Sequence, residues 1–414
     1  MKVVGLITEY NPFHRGHQYH IQQAKKITGA DRVIVIMSGD FVQRGQPAIM
    51  PKHLRAKIAL QCGASAVFEL PVCYATGSAE LFAVGAVSFL ENLGIIDGIC
   101  FGSECADIDI LKKIARILAD EPEDYLCVLK KKLQEGLSFP AARALALSNY
   151  CRDDHDADIL EHPNNILGIE YLKALYRSKS RMTPYTIQRK GAAYHDSDIQ
   201  DIYSSASSLR AFLREWNLSH SPFHNETPIA SQIPESALSL LHEDYLKTFP
   251  VYTDTFSMVL KYALLLEQNF EQYQDVSPEL SNRIVRLRNR YQSFEQFCDL
   301  LKTRELTHSR ISRALLHIML HITKSDTEHY LKNNIHFYAR LLGFRTDETD
   351  VLTEIKLHSS LPLLTKLADT EGFSELAKQM LAMDCFASDL YCSAVTEIYR
   401  TPFTNEYQQQ IVRV

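Results

Sequence analysis

The sequence predicts an α/β fold, in which helices cover both faces of a parallel sheet, followed by a mostly helical C-terminal half. Short continuous apolar runs, typical of strands buried on both faces, recur through the first hundred residues. Each run is followed by a segment with helical periodicity, and repeated βα units of this length imply a parallel sheet with right-handed crossovers. Beyond about residue 236, the apolar residues fall at helical spacing instead.

The predicted elements follow from these patterns in chain order. Strands are predicted at residues 3–7, 33–37, 66–68 and 98–101, with a returning strand at 185–188. Helices are predicted at 16–28, about 52–62, near 77–92 and from 164 to about 176, with another beginning at 204–208. Ligands of such sheets bind outside the carboxyl ends of the strands, so motifs at those ends form the candidate site.

The chain divides, on this pattern, into two domains. Residues 1–216 are predicted to form a Rossmann-like domain with a helical insertion at about 105–160. Residues 217–235 are rich in Ser, Pro, His and Asn, which is typical of a linker. Residues 236–414 are predicted to form a mainly helical domain, and we expect the residues from about 402 to be a loose tail.

Composition and charge exclude several classes of protein. With 414 residues, 46% hydrophobic and 23% charged, the chain reads as an ordinary globular protein. No run approaches the ~20 apolar residues that span a bilayer, and the strand that follows Met1-Lys2 predicts no signal peptide. Nine cysteines without a CxxC pair indicate reduced thiols, so a cytoplasmic protein is expected. The net charge of −6 argues against general attraction to nucleic acid but allows a local basic surface.

The most informative motif is His14-Arg15-Gly16-His17, which follows the first strand directly. Two imidazoles close to a phosphate can donate hydrogen bonds and stabilise charge that develops in a transition state. Gly16 lets the backbone approach a phosphate closely, and the amides at the following helix start add a positive dipole end. The motif therefore points to activation of a carboxylate or phosphate by a nucleoside triphosphate. The alternative is a histidine pair that merely caps a helix.

Two further strand ends carry candidate residues. Asp40 follows the second strand in a Ser-Gly-Asp turn, where it is a candidate catalytic group that orients a substrate or binds a metal. A glycine-rich connection with a surface acid fits the same spacing equally well. Gly102 ends the fourth strand, and the absent Cβ would let an adenine or ribose lie against the backbone, although a simple turn is the alternative.

Polar residues at later element ends extend this set. Asn164 and Asn165 stand together at a helix start, where one can cap the helix and leave the other to face a ligand. Arg189 ends the returning strand and suits a phosphate or a carboxylate. The stretch from Ser205 to Arg210 offers hydroxyls, helix-start amides and a guanidinium that together can hold a triphosphate, with a serine-rich helix cap as the alternative.

Arginines cluster in the C-terminal half. Arg283, Arg286 and Arg290 share one predicted helical face, and Arg304 and Arg310 belong to the next basic segment. Such residues are usually solvated, but clusters on neighbouring helices of an acidic protein are also typical of a surface that binds an anionic macromolecule.

The two motifs at His14–His17 and Ser205–Arg210 together resemble those of the HxGH nucleotidyltransferase superfamily. More narrowly, the stretches GLITEYNPFHRGHQYH, MSGDFVQRGQPAI, FGSE, PNNILGIEYLKAL and SRISRALLHI resemble the family of bacterial tRNA(Met) cytidine acetate ligases. This resemblance implies an enzyme that uses ATP to adenylate acetate and releases pyrophosphate. It then implies transfer of the acetyl group to the wobble cytidine of elongator tRNA(Met), forming N4-acetylcytidine.

The resemblance also assigns site residues, with His14, His17 and Asp40 as the catalytic candidates. The ATP-binding residues that it implies are Ile7, Thr8, Glu9, Tyr10, Asn11, Pro12, Phe13, His14, Arg15, Gly16, His17, Gln18, Tyr19, His20, Gly102, one of Asn164 and Asn165, Arg189 and Ser205. Mg²⁺ is expected to screen the phosphates, and the helical half is expected to hold the tRNA. Two alternatives remain: a nucleotidyltransferase acting on a phosphorylated cofactor precursor, and a non-catalytic nucleotide-binding RNA adaptor.

Overall fold

A computed structural model of the chain confirms the α/β architecture, and it describes residues 1–152, 158–189, 204–216, 220–224 and 227–414. Its strands, numbered in chain order, are β1 (Val3–Thr8), β2 (Arg32–Ser38), β3 (Phe41–Val42), β4 (Gln46–Pro47), β5 (Ala66–Leu70), β6 (Gly98–Ser103), β7 (Thr183–Gln188), β8 (Ala339–Phe344), β9 (Leu363–Leu364) and β10 (Val412–Arg413). The predicted strands of the first half are all present.

Helices flank this sheet and form most of the C-terminal half. In chain order they are α1 (Arg15–Thr28), α2 (Lys52–Gln61), α3 (Val72–Ala75), α4 (Ala79–Asn92), α5 (Ile108–Asp120), α6 (Glu123–Gln134), α7 (Phe139–Cys151), α8 (Pro163–Ser178), α9 (Ala206–Glu215), α10 (Glu235–Asp244), α11 (Ser257–Leu266), α12 (Pro278–Leu287), α13 (Phe294–Leu301), α14 (His308–Leu320), α15 (Lys324–Lys332), α16 (Asp350–His358) and α17 (Glu375–Tyr399). No helix of the described residues is long and apolar enough to cross a membrane.

The main sheet has the strand order β10-β8-β5-β2-β1-β6-β7, with β9 paired to β8. The five strands from the first half are mutually parallel, so the carboxyl ends of β1, β2 and β6 meet at one edge. Alternate residues face opposite sides: Val4 and Leu6 pack in one core, whereas Val3 packs in the other. A sheet buried on both faces explains why its strands read as continuous apolar runs.

The C-terminal half also contributes strands, which the sequence did not predict. Strand β8 pairs antiparallel with β5, and β10 pairs parallel with β8. The residues from about 402 were expected to be a loose tail, and that expectation is wrong. Glu406 in this segment is buried and accepts hydrogen bonds from a guanidinium and an imidazole, because it completes a cluster of charges beneath the sheet edge.

The predicted linker at 217–235 packs part of its described residues against the first domain, while others are exposed. Phe223, Ile229 and Ile233 are buried in the core that α1, α2, α9 and α10 form on one face of the sheet. Residues 217–219 and 225–226 of that segment, and 153–157 of the predicted insertion, lie outside the described residues. The division into domains at this segment stays a prediction.

Candidate functional site

The HxGH loop lies where β1 ends, and its two histidines cap α1. His14 is the N-cap residue, and its Nδ1 accepts a hydrogen bond from the Gly16 amide at 3.0 Å. In return, Nδ1 of His17 accepts from the His14 amide at 3.3 Å, and the rings stack with centroids 3.8 Å apart. Because each Nδ1 accepts a hydrogen bond, a neutral ring carries its proton on Nε2. The cap therefore leaves two Nε2–H donors for a ligand.

Both imidazoles are uncharged at neutral pH. Burial lowers the pKa of His14 to about 3, and the nearby cations of Arg189 and Arg210 act in the same direction. Burial lowers the pKa of His17 well below its ordinary value, with His14 as the next cause. The sequence left open whether the histidines cap a helix or bind a phosphate. The two roles are compatible, since capping uses Nδ1 of each ring and leaves Nε2 for a ligand.

The loop between β1 and α1 is held by contacts from three directions. Tyr10 has a positive φ of 50°, and its ring contacts Phe13 edge-on with centroids 4.7 Å apart. Phe13 is buried beneath the loop, as expected. Oδ1 of Asn11 accepts a hydrogen bond from the Ile49 amide at 2.7 Å, and its carbonyl accepts from Arg210 at 2.6 Å. These bonds fix a backbone that has an unfavourable conformation for a tyrosine.

The two asparagines of the pair are not equivalent. The Asn165 side chain is buried, where its Oδ1 accepts from the Glu104 and Cys105 amides at 2.9 and 3.2 Å, and its Nδ2 donates to a carbonyl. Asn164 instead contacts the Glu104 carboxylate and accepts a hydrogen bond from Arg189 at 2.7 Å. The geometry therefore favours Asn164 as the side chain that faces a ligand.

Gly102 lies directly under Arg189. A Cβ on this glycine would stand 3.1 Å from Cγ of the arginine, so the absent side chain gives Arg189 its place over the strand end. Burial lowers the pKa of Arg189, while the Glu104 carboxylate acts against that shift.

The serine-rich motif joins α9 to the HxGH loop. Ser205 is the N-cap residue of α9, and its hydroxyl accepts from the Ser208 amide at 3.1 Å. One arm of the Arg210 guanidinium donates to Ser207 Oγ at 3.2 Å, and the other reaches Asn11 as described. Ser205 thus caps a helix, which was the alternative to binding a triphosphate. Its contact with ATP stays a prediction.

Asp40 is not the surface acid of the alternative reading, because it is buried. Its Oδ1 accepts from the Lys52 amide at 2.8 Å, at the start of α2, and its Oδ2 lies 3.9 Å from the Lys52 ammonium. Burial raises the pKa of Asp40, against the effect of Lys52. Throughout the described part of the chain, no three His, Cys, Asp or Glu side chains are arranged to hold a metal ion. Asp40 thus offers a structural carboxylate, and its catalytic role stays untested.

The other residues of the predicted ATP segment lie along β1 and the first turns of α1. Ile7 and Thr8 end the strand, and Glu9, which follows it, accepts a hydrogen bond from the Gln43 amide at 2.9 Å. Arg15 and Gln18 lie on the outer face of α1, where Arg15 contacts the Ile233 carbonyl, whereas the His20 imidazole bonds the Cys100 carbonyl at 3.2 Å. The structure thus brings His14, His17, Arg189 and Arg210 together at one edge.

Sequence reasoning missed Arg55 of α2, whose guanidinium contacts three loops at this edge. No sequence signal marks it, because an arginine in the first turns of an amphipathic helix is ordinary.

Comparisons with known proteins agree with this geometry. The family model described as HIGH Nucleotidyl Transferase matches residues 1–406. The chain is 40% identical over 418 residues to the tRNA(Met) cytidine acetate ligase of Acetivibrio thermocellus, covering 100% of both chains. It is 40% identical over 395 residues to the enzyme of the same name from Caldanaerobacter subterraneus subsp. tengcongensis, covering 95% of this chain and 96% of the relative.

Two crystal structures of Thermotoga maritima TmcAL match over the full length of both chains at 30% identity. The apo form superposes with a TM-score of 0.92, and the form bound with alpha-thio ATP superposes with a TM-score of 0.89.

Proposed function

The chain belongs to the HIGH Nucleotidyl Transferase family, and we propose that it is an ATP-dependent ligase that acetylates tRNA(Met). It adenylates acetate to acetyl-AMP, releases pyrophosphate, and transfers the acetyl group to the wobble cytidine of elongator tRNA(Met) to form N4-acetylcytidine. The observation that carries this conclusion is the pair of Nε2–H groups of His14 and His17 that the helix cap leaves available, in a chain that matches ligases of that name over 95–100% of its length.

The first step is an in-line displacement at the α-phosphorus of ATP. An acetate oxygen forms the new P–O bond while the bond to pyrophosphate breaks, and negative charge accumulates on the phosphoryl oxygens. His14 and His17 donate hydrogen bonds to those oxygens from Nε2, and neutral rings can do so without first losing a proton. The guanidinium groups of Arg189 and Arg210 flank the histidines and neutralise the phosphates.

The proposed ATP site lies at this edge of the sheet, and the Thermotoga relative has been solved with alpha-thio ATP bound. We assign the nucleotide to the HxGH segment from Ile7 to His20, together with Gly102, Asn164, Arg189 and Ser205. Mg²⁺ would accompany the phosphates of ATP, as the described residues form no metal site of their own. No step above depends on the ion.

In the second step, the exocyclic amine of cytosine attacks the acetyl carbonyl carbon. The C–O bond to the phosphate breaks, AMP leaves, and the amine loses one proton. A cytosine amine is a poor nucleophile, so the rate depends on positioning, and the base must leave the anticodon-loop stack to reach the strand ends.

The tRNA is proposed to bind the helical half. Of the arginines that cluster there, only those that face solvent are candidates for contacts with RNA. Arg283 donates to the carbonyls of Leu300 and Leu301, so it caps α13 instead of facing solvent. Arg286, Arg290 and Arg304 are exposed, and they are the residues we assign to RNA phosphates. An enzyme that acts on tRNA in this way is expected to be cytoplasmic.

The test is transfer of radiolabelled acetate to bulk bacterial tRNA, with and without ATP. We expect ATP-dependent label in elongator tRNA(Met), recovered as N4-acetylcytidine after nuclease digestion. Elongator transcripts that carry uridine at the wobble position serve as the matched control and should remain unlabelled. Pyrophosphate release with a phosphorylated cofactor precursor, and no label in tRNA, would instead support a small-molecule nucleotidyltransferase.

A further inference from the structure

Arg55, in the first turns of α2, is fully buried, and its guanidinium contacts only backbone carbonyl groups among the described residues. Nε donates to the Met50 carbonyl at 3.0 Å, and one terminal nitrogen donates to the carbonyls of Glu9 and Ser38 at 2.6 and 3.1 Å. The other terminal nitrogen donates to the Gly39 carbonyl. Four of its five N–H groups are therefore used by three separate loops.

These carbonyls belong to the edge of the sheet that carries the candidate site. Glu9 follows β1, whereas Ser38 and Gly39 end and follow β2, so the guanidinium lies across the ends of two neighbouring strands. Buried carbonyls beyond a strand end have lost their ladder partners, and each needs a donor. Arg55 supplies that donor for both strands at once.

The cost of burying this cation is not offset by an ion pair. Burial lowers the pKa of Arg55, and the carboxylates of Asp40 and Glu9 act against that shift from a distance. A buried charge solvated only by dipoles is expensive, and the part of this cost that is recovered comes from the four carbonyls that the guanidinium satisfies. The same four hydrogen bonds determine where the three loops lie relative to one another.

Its contacts fix the loop that carries the two histidines. The Glu9 carbonyl lies immediately before Tyr10, whose positive φ turns the chain towards His14. Arg55 also binds the Met50 carbonyl. The preceding residue, Ile49, donates its amide to the Asn11 side chain of the same loop. Arg55 thus holds both the beginning of the loop and the segment that clamps its middle.

We propose that Arg55 is a positioning residue for adenylation, which holds the loop from Glu9 to His14 so that the Nε2–H donors of His14 and His17 meet the α-phosphate. The inference rests on the proposed function for its reaction, but the positioning is a property of the free protein. A displacement of about 1 Å in such donors costs about a hundredfold in rate.

The test uses Arg55→Lys, which keeps the charge but concentrates the donors on one nitrogen that cannot reach four carbonyls. We expect kcat of acetate-dependent ATP–pyrophosphate exchange to fall about a hundredfold per folded molecule. KM for ATP should change less than threefold. The matched control is Arg340→Lys, a second buried arginine that pairs with Glu69 and Glu406 and touches none of these loops. It should lower Tm while leaving kcat unchanged.

A second measurement does not depend on the reaction. In protein with ¹⁵N-labelled histidine, the His14 and His17 ring signals should shift or broaden in Arg55→Lys and stay in place in Arg340→Lys. If Arg55→Lys keeps both the signals and kcat and loses only Tm, the residue is structural and the proposal is overturned. If the wild-type protein performs no acetate-dependent exchange while the signals still move, the positioning stands and the proposed function fails.

Discussion

Two groups of cations, at neighbouring positions of the sheet, are compensated in opposite ways: Arg189 and Arg210 remain partly accessible, whereas Lys52 and Arg340 are buried. At the HxGH edge, burial lowers the pKa of Arg210 to about 10 and lowers that of Arg189. Further along the same edge, beside the carboxyl ends of β2 and β5, burial also acts to lower the pKa of Lys52 and Arg340, but neighbouring carboxylates outweigh it and raise both values.

The second group is a closed ionic cluster. The Lys52 ammonium lies 2.8 Å from Oε1 of Glu69 and 3.0 Å from Oε1 of Glu406. Arg340 bonds the same two carboxylates, at 3.0 Å to Glu69 and also directly to Glu406. Glu69 and Glu406 bond both cations directly, with Asp40 at 3.9 Å from the Lys52 ammonium, and the cluster fastens the C-terminal segment to the sheet.

The first group lacks this internal balance, and the difference indicates what each region does. Lys52 and Arg340 have carboxylate partners inside the protein, whereas among the described residues no carboxylate pairs directly with Arg189 or Arg210, so a bound anion can partner these two guanidinium groups. ATP supplies such an anion at the HxGH edge. We therefore interpret the ionic cluster of Lys52 and Arg340 as structural, and the pair Arg189 and Arg210 as part of the binding site. Four substitutions test this interpretation.

The largest effect is expected from His17→Ala. Removing one Nε2–H donor from the developing phosphoryl charge should lower acetate-dependent ATP–pyrophosphate exchange about a thousandfold. The matched control is His53→Ala, since His53 contacts Glu406 in the ionic cluster at 3.3 Å. A similar loss of exchange in both variants would contradict the division of roles between the two regions.

Glu406→Gln should act on stability instead of catalysis. It leaves two buried cations to share Glu69, with Asp40 farther away at 3.9 Å, so the free energy of unfolding should fall by about 3 kcal/mol. Urea denaturation measures this fall, and kcat of the folded fraction should match the wild type. An unchanged midpoint would mean that the C-terminal segment is not held by the cluster.

Arg210→Gln should show the opposite pattern. Losing a cation that faces the phosphates should weaken ATP binding about thirtyfold, or about 2 kcal/mol, by isothermal titration calorimetry. Without ATP, the midpoint of urea denaturation should change much less than in Glu406→Gln. If Arg210→Gln destabilises the free protein as much as Glu406→Gln does, its charge is compensated internally and the comparison fails.

The smallest effect concerns pH. Burial lowers the pKa of His20 to about 4, below the ordinary value of 6.5 that it regains on unfolding. Below pH 6.5 the unfolded chain therefore binds a proton that the folded chain does not, so stability is complete above pH 6.5 and falls towards pH 4. Urea denaturation at pH 5 and pH 7 should show that His20→Asn removes about 2 kcal/mol of this fall. An unchanged slope would place the His20 pKa near its ordinary value.

Sequence reasoning could identify those parts of the site that are marked by motifs of neighbouring residues. His14 and His17 stand on a motif directly after an apolar run, and the structure places them at the expected helix start. Asn164 and Asn165 were indistinguishable in sequence, because only the turn around Glu104 determines which of the two side chains is buried. Asp40 fitted a surface acid equally well until the fold placed the start of α2 against it.

The sequence by itself determined the parallel sheet, its helices and the edge where the site lies. Those features depend on short-range periodicity and on which residues follow each strand. Only the tertiary structure decided that β8 pairs with β5, that Glu406 is buried, and that Arg55 joins three loops. Each of these contacts joins segments distant in the chain. Their partners are set by packing across the fold, which leaves no mark in the neighbouring sequence.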